Sequence, residues 1–220
     1  MRKFLPIIGK SSLFNGIEEN EIQKALIHLK YQIMDYEKGT YLFMQGDKIQ
    51  MVGMVLTGQV HIMREDFWGN RSLVSEIGQG DLFGESYACT DSKVTEVSAL
   101  CVKQGTKVLF FQTDKLFDVG DSDHKFQNKL IRNLIAILAE KNRILSGKMD
   151  HMSRKTTREK LLSYLSSQSL RCNSKEFSIP FDRQQLADYL SVDRSAMSKE
   201  LSKMRDDGIL DYSKNKFVIR

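Results

Sequence analysis

Arg183-Gln-Gln-Leu-Ala-Asp-Tyr-Leu-Ser-Val-Asp-Arg-Ser-Ala-Met-Ser-Lys-Glu-Leu-Ser-Lys-Met204 is the stretch that decides how the C-terminal part of this chain folds. Leu186, Ala187 and Leu190 recur at helical spacing, and Met197, Leu201 and Met204 do so again after a break. Between the two sets Ser191-Val192-Asp193 reads as a tight turn, with Val192 placed to plug the angle. Ala187 is small where a second helix would cross the first. The pattern predicts a helix-turn-helix whose second helix is built for a DNA major groove. Its outward positions, Arg194, Ser195, Ser198 and Lys199, can all donate to base edges or phosphates. The plainer alternative is a helical hairpin with solvated charges.

Charge favours the first reading. The chain carries a formal +5, with a pI near 9.0. Residues 1–150 are balanced, whereas residues 151–220 hold 14 Lys and Arg against nine Asp and Glu. The whole excess therefore lies with the helix-turn-helix, as expected of a surface that displaces counterions from phosphate.

Composition bounds the rest. With 220 residues, 41% apolar and 28% charged, the chain can bury one large core or two small ones. No apolar run approaches the roughly 20 residues of a membrane span. Met1-Arg-Lys-Phe-Leu-Pro6 lacks the sustained apolar region of a secretory signal, and Cys89, Cys101 and Cys172 show no ligand-like spacing. A cytoplasmic chain with reduced thiols is expected.

Glycine divides the sequence. Twelve of the 14 glycines fall between Gly9 and Gly120. Between residues 39 and 111 short alternating runs (Val60 and Ile62, Leu73 to Ile77, Val97 to Val102, Val108 to Phe111) are punctuated by glycine, which predicts a compact antiparallel barrel or jelly roll. Glu18 to Leu29 reads as a short amphipathic helix ahead of it. From about Lys125 the texture becomes helical and runs to Met149 without proline. Ile131, Leu134, Leu138, Lys141 and Leu145 approximate an a/d heptad, a two-helix seam with one polar interruption. The apolar set is broader than a bare seam, so this helix is also expected to pack on its own barrel. A further helix is expected over Thr156 to Leu165, then a polar loop. Asp182 and Gln185 are spaced to cap the next helix. After Gly208, two short strands around Ser213-Lys214-Asn215-Lys216 complete a winged helix, with Lys214 and Lys216 placed for phosphate.

In this order the motifs resemble the cyclic-AMP receptor protein/FNR (Crp/Fnr) family of transcription regulators over nearly the whole chain. Leu13-Phe14-Asn15-Gly16-Ile17 resembles the family's entry segment, and Gly39 to Asp47 its early strand and turn. Val55-Leu-Thr-Gly58-Gln-Val60 resembles its glycine hairpin, and Gly78-Gln-Gly80-Asp-Leu-Phe-Gly84-Glu85 the entrance to its effector cassette. Residues 183–204 align with its helix-turn-helix without a gap. The resemblance implies an α+β protein: a cyclic-nucleotide-binding-like β-barrel (jelly roll) for effector sensing in 1–122, a dimerisation helix in 123–150 and a winged helix-turn-helix in 151–220. It implies effector contacts at Gly84, Glu85, Ser86, Lys93 and Thr95, and a homodimer interface at Ile131, Leu134, Leu138 and Leu145. It also places Thr156, Arg183 and Lys214 against DNA beside Arg194, Ser195, Ser198 and Lys199.

Two departures matter. Nucleotide-binding members follow the Gly-Glu pair by an Arg-Ser pair that neutralises the cyclic phosphate. Here Asp91-Ser-Lys93-Val94-Thr95-Glu96-Val97 has no arginine, and Lys93 lacks the two-pronged geometry of a guanidinium. Cyclic AMP is therefore not the expected effector. In the recognition helix, Ser195 stands where members often carry an acid, which removes an acceptor for cytosine amino groups.

The sensor chemistry stays open. With no cysteine before Cys89, an iron–sulfur centre is not expected. His28, His61, His124 and His151 are scattered, which gives a haem no evident axial pair. Cys89 and Cys101 read as a thiol switch or as inert strand cysteines, and Trp68, Tyr87, Met51 and Met54 as an apolar pocket or as core. No nucleophile–base pair, metal spacing or phosphate cradle appears, so neither catalysis nor a cofactor is expected. The expectation is a homodimeric regulator on a palindromic operator, with RNA polymerase and an unidentified small molecule as further partners and no membrane. The alternative is a nucleotide-binding-like sensor or interaction module without direct gene regulation, against which the winged helix speaks.

Overall fold

The computed structural model describes residues 1–117 and 125–220, and the chain divides into two compact units, Met1–Ala139 and Glu140–Arg220. The expected boundary between residues 122 and 123, and His124, lie outside the described residues.

In the first unit, helices α1 (Leu5–Lys10) and α2 (Glu19–His28) precede strands β1 (Gln32–Tyr36), β2 (Tyr41–Phe43), β3 (Met51–Thr57), β4 (Val60–Glu65), β5 (Arg71–Ile77) and β6 (Leu82–Phe83). A short helix α3 (Glu85–Ala88), strands β7 (Ser98–Cys101) and β8 (Thr106–Gln112), and helix α4 (Asp114–Phe117) follow. The long helix α5 runs from Lys125 to Ser153. The strands form two antiparallel sheets, ordered β1-β8-β3-β6 and β2-β7-β4-β5.

β3 shows why the run Val52-Gly-Met-Val-Leu56 is apolar throughout. Val52, Met54 and Leu56 face α1, α2 and the Phe126, Leu130 and Leu134 side chains of α5, while Val55 joins Phe43, Ile62, Phe83 and Cys101 in a second cluster. A strand covered on both faces loses the polar alternation of a half-exposed one. Gly53 lies opposite Phe83, and a Cβ there would stand 2.3–2.8 Å from that ring.

The expected β-barrel (jelly roll) is not borne out as a barrel: among the described residues neither sheet closes on itself. Among the described residues each sheet ends in edge strands with no further partner strand, β1 and β6 bounding one and β2 and β5 the other. β2 has three residues and β6 two, too few to carry pairing around to a closing neighbour. Glycine-punctuated spacing counts strands, but closure depends on partners far apart in sequence, and two stacked open sheets satisfy the same pattern.

In the second unit, α6 (Thr157–Cys172) precedes β9 (Glu176–Ser178), α7 (Arg183–Leu190), α8 (Arg194–Asp206), β10 (Leu210–Ser213) and β11 (Lys216–Ile219). α6 continues seven residues beyond the expected end at Leu165 and stops where Asn173 turns left-handed at φ 47°. Its second half is rich in serine, so the apolar signal fades before the helix does. The strand order is β10-β11-β9, and β9, directly after the polar loop expected through Lys175, supplies the third strand. Leu161, Leu165, Leu186, Ala187, Leu190, Met197, Leu201, Met204 and Phe217 form one closed core.

Candidate nucleic-acid interface

The helix-turn-helix is assembled by local hydrogen bonds that its own residues supply. Asp182 Oδ1 accepts from the Gln185 N–H at 2.8 Å, and Gln185 Oε1 accepts from the Asp182 N–H at 2.9 Å, the expected capping box. α7 ends at Ser191 in the left-handed region, φ 50°, and the Val192 N–H donates to the Ala187 carbonyl at 3.0 Å. Val192 packs on the core beneath, as the sequence suggested. Lys160 donates to the Leu190 carbonyl at 3.2 Å, a cation at the negative end of α7.

Asp193 then starts α8. Its Oδ1 accepts from the Ala196 N–H at 2.8 Å and from Ser195 Oγ at 2.5 Å, and these bonds, the Ser195 one foremost, hold its carboxyl below the ordinary range. Met197, Leu201 and Met204 are wholly buried, and Arg194, Ser195, Ser198 and Lys199 are exposed on the other side. Ser198 Oγ donates back to the Arg194 carbonyl at 2.9 Å. Both serine protons are thus committed locally, and what remains at these two positions are acceptor lone pairs. Arg158, unforeseen in the sequence, ties α6 to α8 through Glu200 (3.2 Å) and Asp207 (2.6 Å).

The other residues expected at DNA separate into different environments. Lys214 is exposed at the β10–β11 turn with φ 51°, and Asn215 anchors that turn by donating to the Ile179 carbonyl at 3.1 Å. Thr156 caps α6, its hydroxyl accepting from the Glu159 N–H at 3.1 Å while Glu159 accepts from the Thr156 N–H. Arg183 is half-buried, its guanidinium 4.9 Å from the Tyr212 ring centre and 5.2 Å from that of Phe217. Burial lowers its pKa.

On α5, Leu134 is only 2% exposed and belongs to the core of its own unit. The available face is displaced by one residue from the expected heptad. Ile131, Ile135, Leu138, Asn142, Leu145, Met149 and Met152 recur at alternating steps of four and three. Ile135, Leu145 and Met149 are exposed, while Ile131 and Leu138 are half-buried. Asn142 is the polar position of this stripe, and Lys141 lies beside it.

Of the effector residues, Gly84 has a left-handed φ of 80° and Glu85 is 2% exposed, with Ser86 Oγ 3.5 Å from its Oε1. Lys93 forms an ion pair with Asp114 at 3.0 Å. Thr95 is buried, and its hydroxyl donates to the Val97 carbonyl at 2.8 Å. The four apolar candidates do not line one pocket: Met54 is core, Met51 and Tyr87 are half-buried, and Trp68 is exposed beside Phe67 at the β4–β5 tip. Cys101 is buried and its thiol is pushed up to about 11 by desolvation. Among the described residues, no group of three or more His, Cys, Asp or Glu is placed to hold a metal ion, and no helix is long and apolar enough to cross a membrane.

Known proteins match both units. Residues 33–123 match the cyclic nucleotide-binding domain family, and residues 159–220 the Crp-like helix-turn-helix domain family. The chain is 25% identical over 200 residues to the cyclic AMP receptor protein of Thermus thermophilus, covering 91% of this chain and 88% of that one. It is 24% identical to the transcriptional activator protein FnrL of Cereibacter sphaeroides, covering 91% and 81% respectively. The crystal structure of the Thermus thermophilus catabolite activator protein is similar in fold, with a TM-score of 0.52 at 24% identity over 96% of this chain and 94% of that one.

Proposed function

The chain belongs to the Crp/Fnr family of DNA-binding transcription regulators, and we propose that within it this protein acts as a homodimer whose paired α8 helices read a palindromic operator. The observation that carries the reading is α8 itself. One face is sealed by Met197, Leu201 and Met204, and the other offers Arg194 and Lys199 from the basic part of the chain. An arginine in the first turn of a recognition helix can grip guanine O6 and N7 together. Ser195, with its proton on Asp193, meets the next base as an acceptor and takes over part of the role of the acid found in other members. Lys199 reaches the following step or its phosphate, and Lys214 meets the backbone from the wing.

Residues 123–150 supply the dimer contact in this reading, through the stripe containing Ile135, Asn142 and Leu145. Residues 1–122 bind the effector, which acts through different affinity for two arrangements of the DNA-binding parts. Cyclic AMP is a poor fit, because Lys93 is paired with Asp114 and the loop around it has no arginine. RNA polymerase is a further partner.

Selection from random duplexes tests the reading. It predicts enrichment of a two-fold symmetric sequence with half-sites about 10 base pairs apart. Enrichment of nothing beyond background, with or without cell extract as a source of effector, would overturn it. Calorimetry with millimolar cyclic AMP should show no saturable heat, and micromolar binding would remove the effector argument.

A further inference from the structure

Tyr212 stands at a junction. It lies on β10, its ring faces Arg183 of α7 at 4.9 Å and Arg205 of α8 at 5.4 Å, and its hydroxyl is 3.3 Å from Ser202 Oγ of α8. The Arg183 guanidinium also covers Phe217 of β11 at 5.2 Å, and Phe217 stacks on Phe177 of β9 with ring centres 6.3 Å apart and planes 17° from parallel. Two guanidinium groups, Arg183 of α7 and Arg205 of α8, and three rings therefore join both helices of the helix-turn-helix to all three strands of the wing sheet.

Arg183 is an unexpected residue for this place. It occupies the first position of α7, where the helix dipole disfavours a cation. Its Nη1 is fully buried without a hydrogen-bond partner. That nitrogen cannot reach a phosphate, and the planar group is used face-on against aromatic carbon.

We propose that Arg183 and Tyr212 are positioning residues, whose cation–aromatic stack fixes the β10–β11 wing against the recognition helix, and that Arg183 acts through the stack and not by touching DNA. The stack sets where Lys214 and Lys216 arrive when Arg194 is seated on its base. This rests on the DNA-binding reading only for its consequence at the operator; the stack itself is a property of the free protein.

Amide hydrogen exchange of the free full-length protein, followed by titration of the selected duplex at several salt concentrations, tests it in Arg183→Ala, Arg183→Lys and Tyr212→Leu. Exchange at Asp211, Phe217 and Val218, whose amides lie in the wing ladders, should speed up by about tenfold in all three, because a compact ammonium does not replace a stacked plane. Protection within α7 and α8 should persist. Operator affinity should fall by a similar factor with an unchanged salt slope, and the Arg183→Ala, Tyr212→Leu pair should be no worse than either single change. Unchanged exchange in Arg183→Ala would overturn the proposal. So would rescue by Arg183→Lys together with a salt slope shallower in Arg183→Ala by about two per dimer, the behaviour of a phosphate contact. If no duplex binds at all, the exchange result alone decides the stack, and the DNA-binding reading fails separately.

Discussion

Leu134 and Ile135 are neighbours on α5 with opposite surroundings, and substituting each in turn separates folding from assembly. Leu134 is 2% exposed among the core side chains of the first unit, and Ile135 is 61% exposed. Leu134→Ala removes three buried carbons and leaves a cavity that the packed core only partly closes. Such changes cost about 3 kcal/mol, which for a unit of this size lowers Tm by roughly 6–12 °C. Ile135→Glu buries nothing new in the single chain, so its folding should stay within about 0.5 kcal/mol of the parent. In a symmetric seam the same change enters twice, and each carboxylate loses water without gaining a partner. At about 2 kcal/mol a side, the dimer dissociation constant should rise by roughly a thousandfold. Calorimetric melting and sedimentation across a concentration series measure the two effects independently. A Leu134→Ala protein that melts normally but sediments as monomer, beside an Ile135→Glu protein that stays dimeric, would refute the assignment of faces.

His151 lies buried against Tyr164 and Tyr189 with Nδ1 2.9 Å from Ser163 Oγ, and burial, partly offset by Asp150 and reinforced by the Arg154 cation, lowers its pKa. The unfolded chain then takes the proton first, so stability is full above about pH 6.5 and declines as pH falls through the folded value, by at most about 1.4 kcal/mol per pH unit. Melts of the parent and of His151→Gln from pH 5 to 7.5 should show this difference, and a parent that gains stability on acidification would contradict it. Gly53→Ala should cost about 1–3 kcal/mol in urea unfolding, because its Cβ meets the Phe83 ring, and Phe83→Leu should recover part of the loss; an unchanged midpoint would mean that the ring moves freely. A chromogenic disulfide should titrate Cys89 and Cys172 in the native protein and Cys101 only after unfolding, since its buried thiol stays protonated; rapid native reaction of all three would count against this packing.

The helix-turn-helix was legible because its signals are local. The apolar spacings of Leu186 to Met204, the Asp182–Gln185 pair and the Ser191-Val192 turn lie within a few residues of their partners. Asp193 falls in the stretch that reads as a turn, although an aspartate directly before a helical run is itself a start signal. Three features were not legible. Barrel closure turns on pairings between distant strands. Which face of α5 is left for a partner turns on which apolar residues the chain's own core takes up, and Leu134, expected in the seam, is taken up by that core. Arg183 reads as a surface cation until Tyr212 and Phe217, some 30 residues away, are brought beneath it. In each case the missing information is a long-range contact, which periodicity does not encode.

If α8 reads bases through Arg194, removing that side chain changes which duplexes are preferred and not how tightly all of them are held. The parent and Arg194→Ala are each titrated against the selected palindrome, against duplexes carrying every single symmetric substitution, and against random DNA at one salt concentration. Arg194→Ala should lose about 1–3 kcal/mol of discrimination at one symmetric pair of positions, keep the preferences elsewhere, and bind random DNA almost as well as the parent. An affinity that falls equally on every duplex, with the parent's base preferences intact, would make Arg194 a backbone contact and contradict the account.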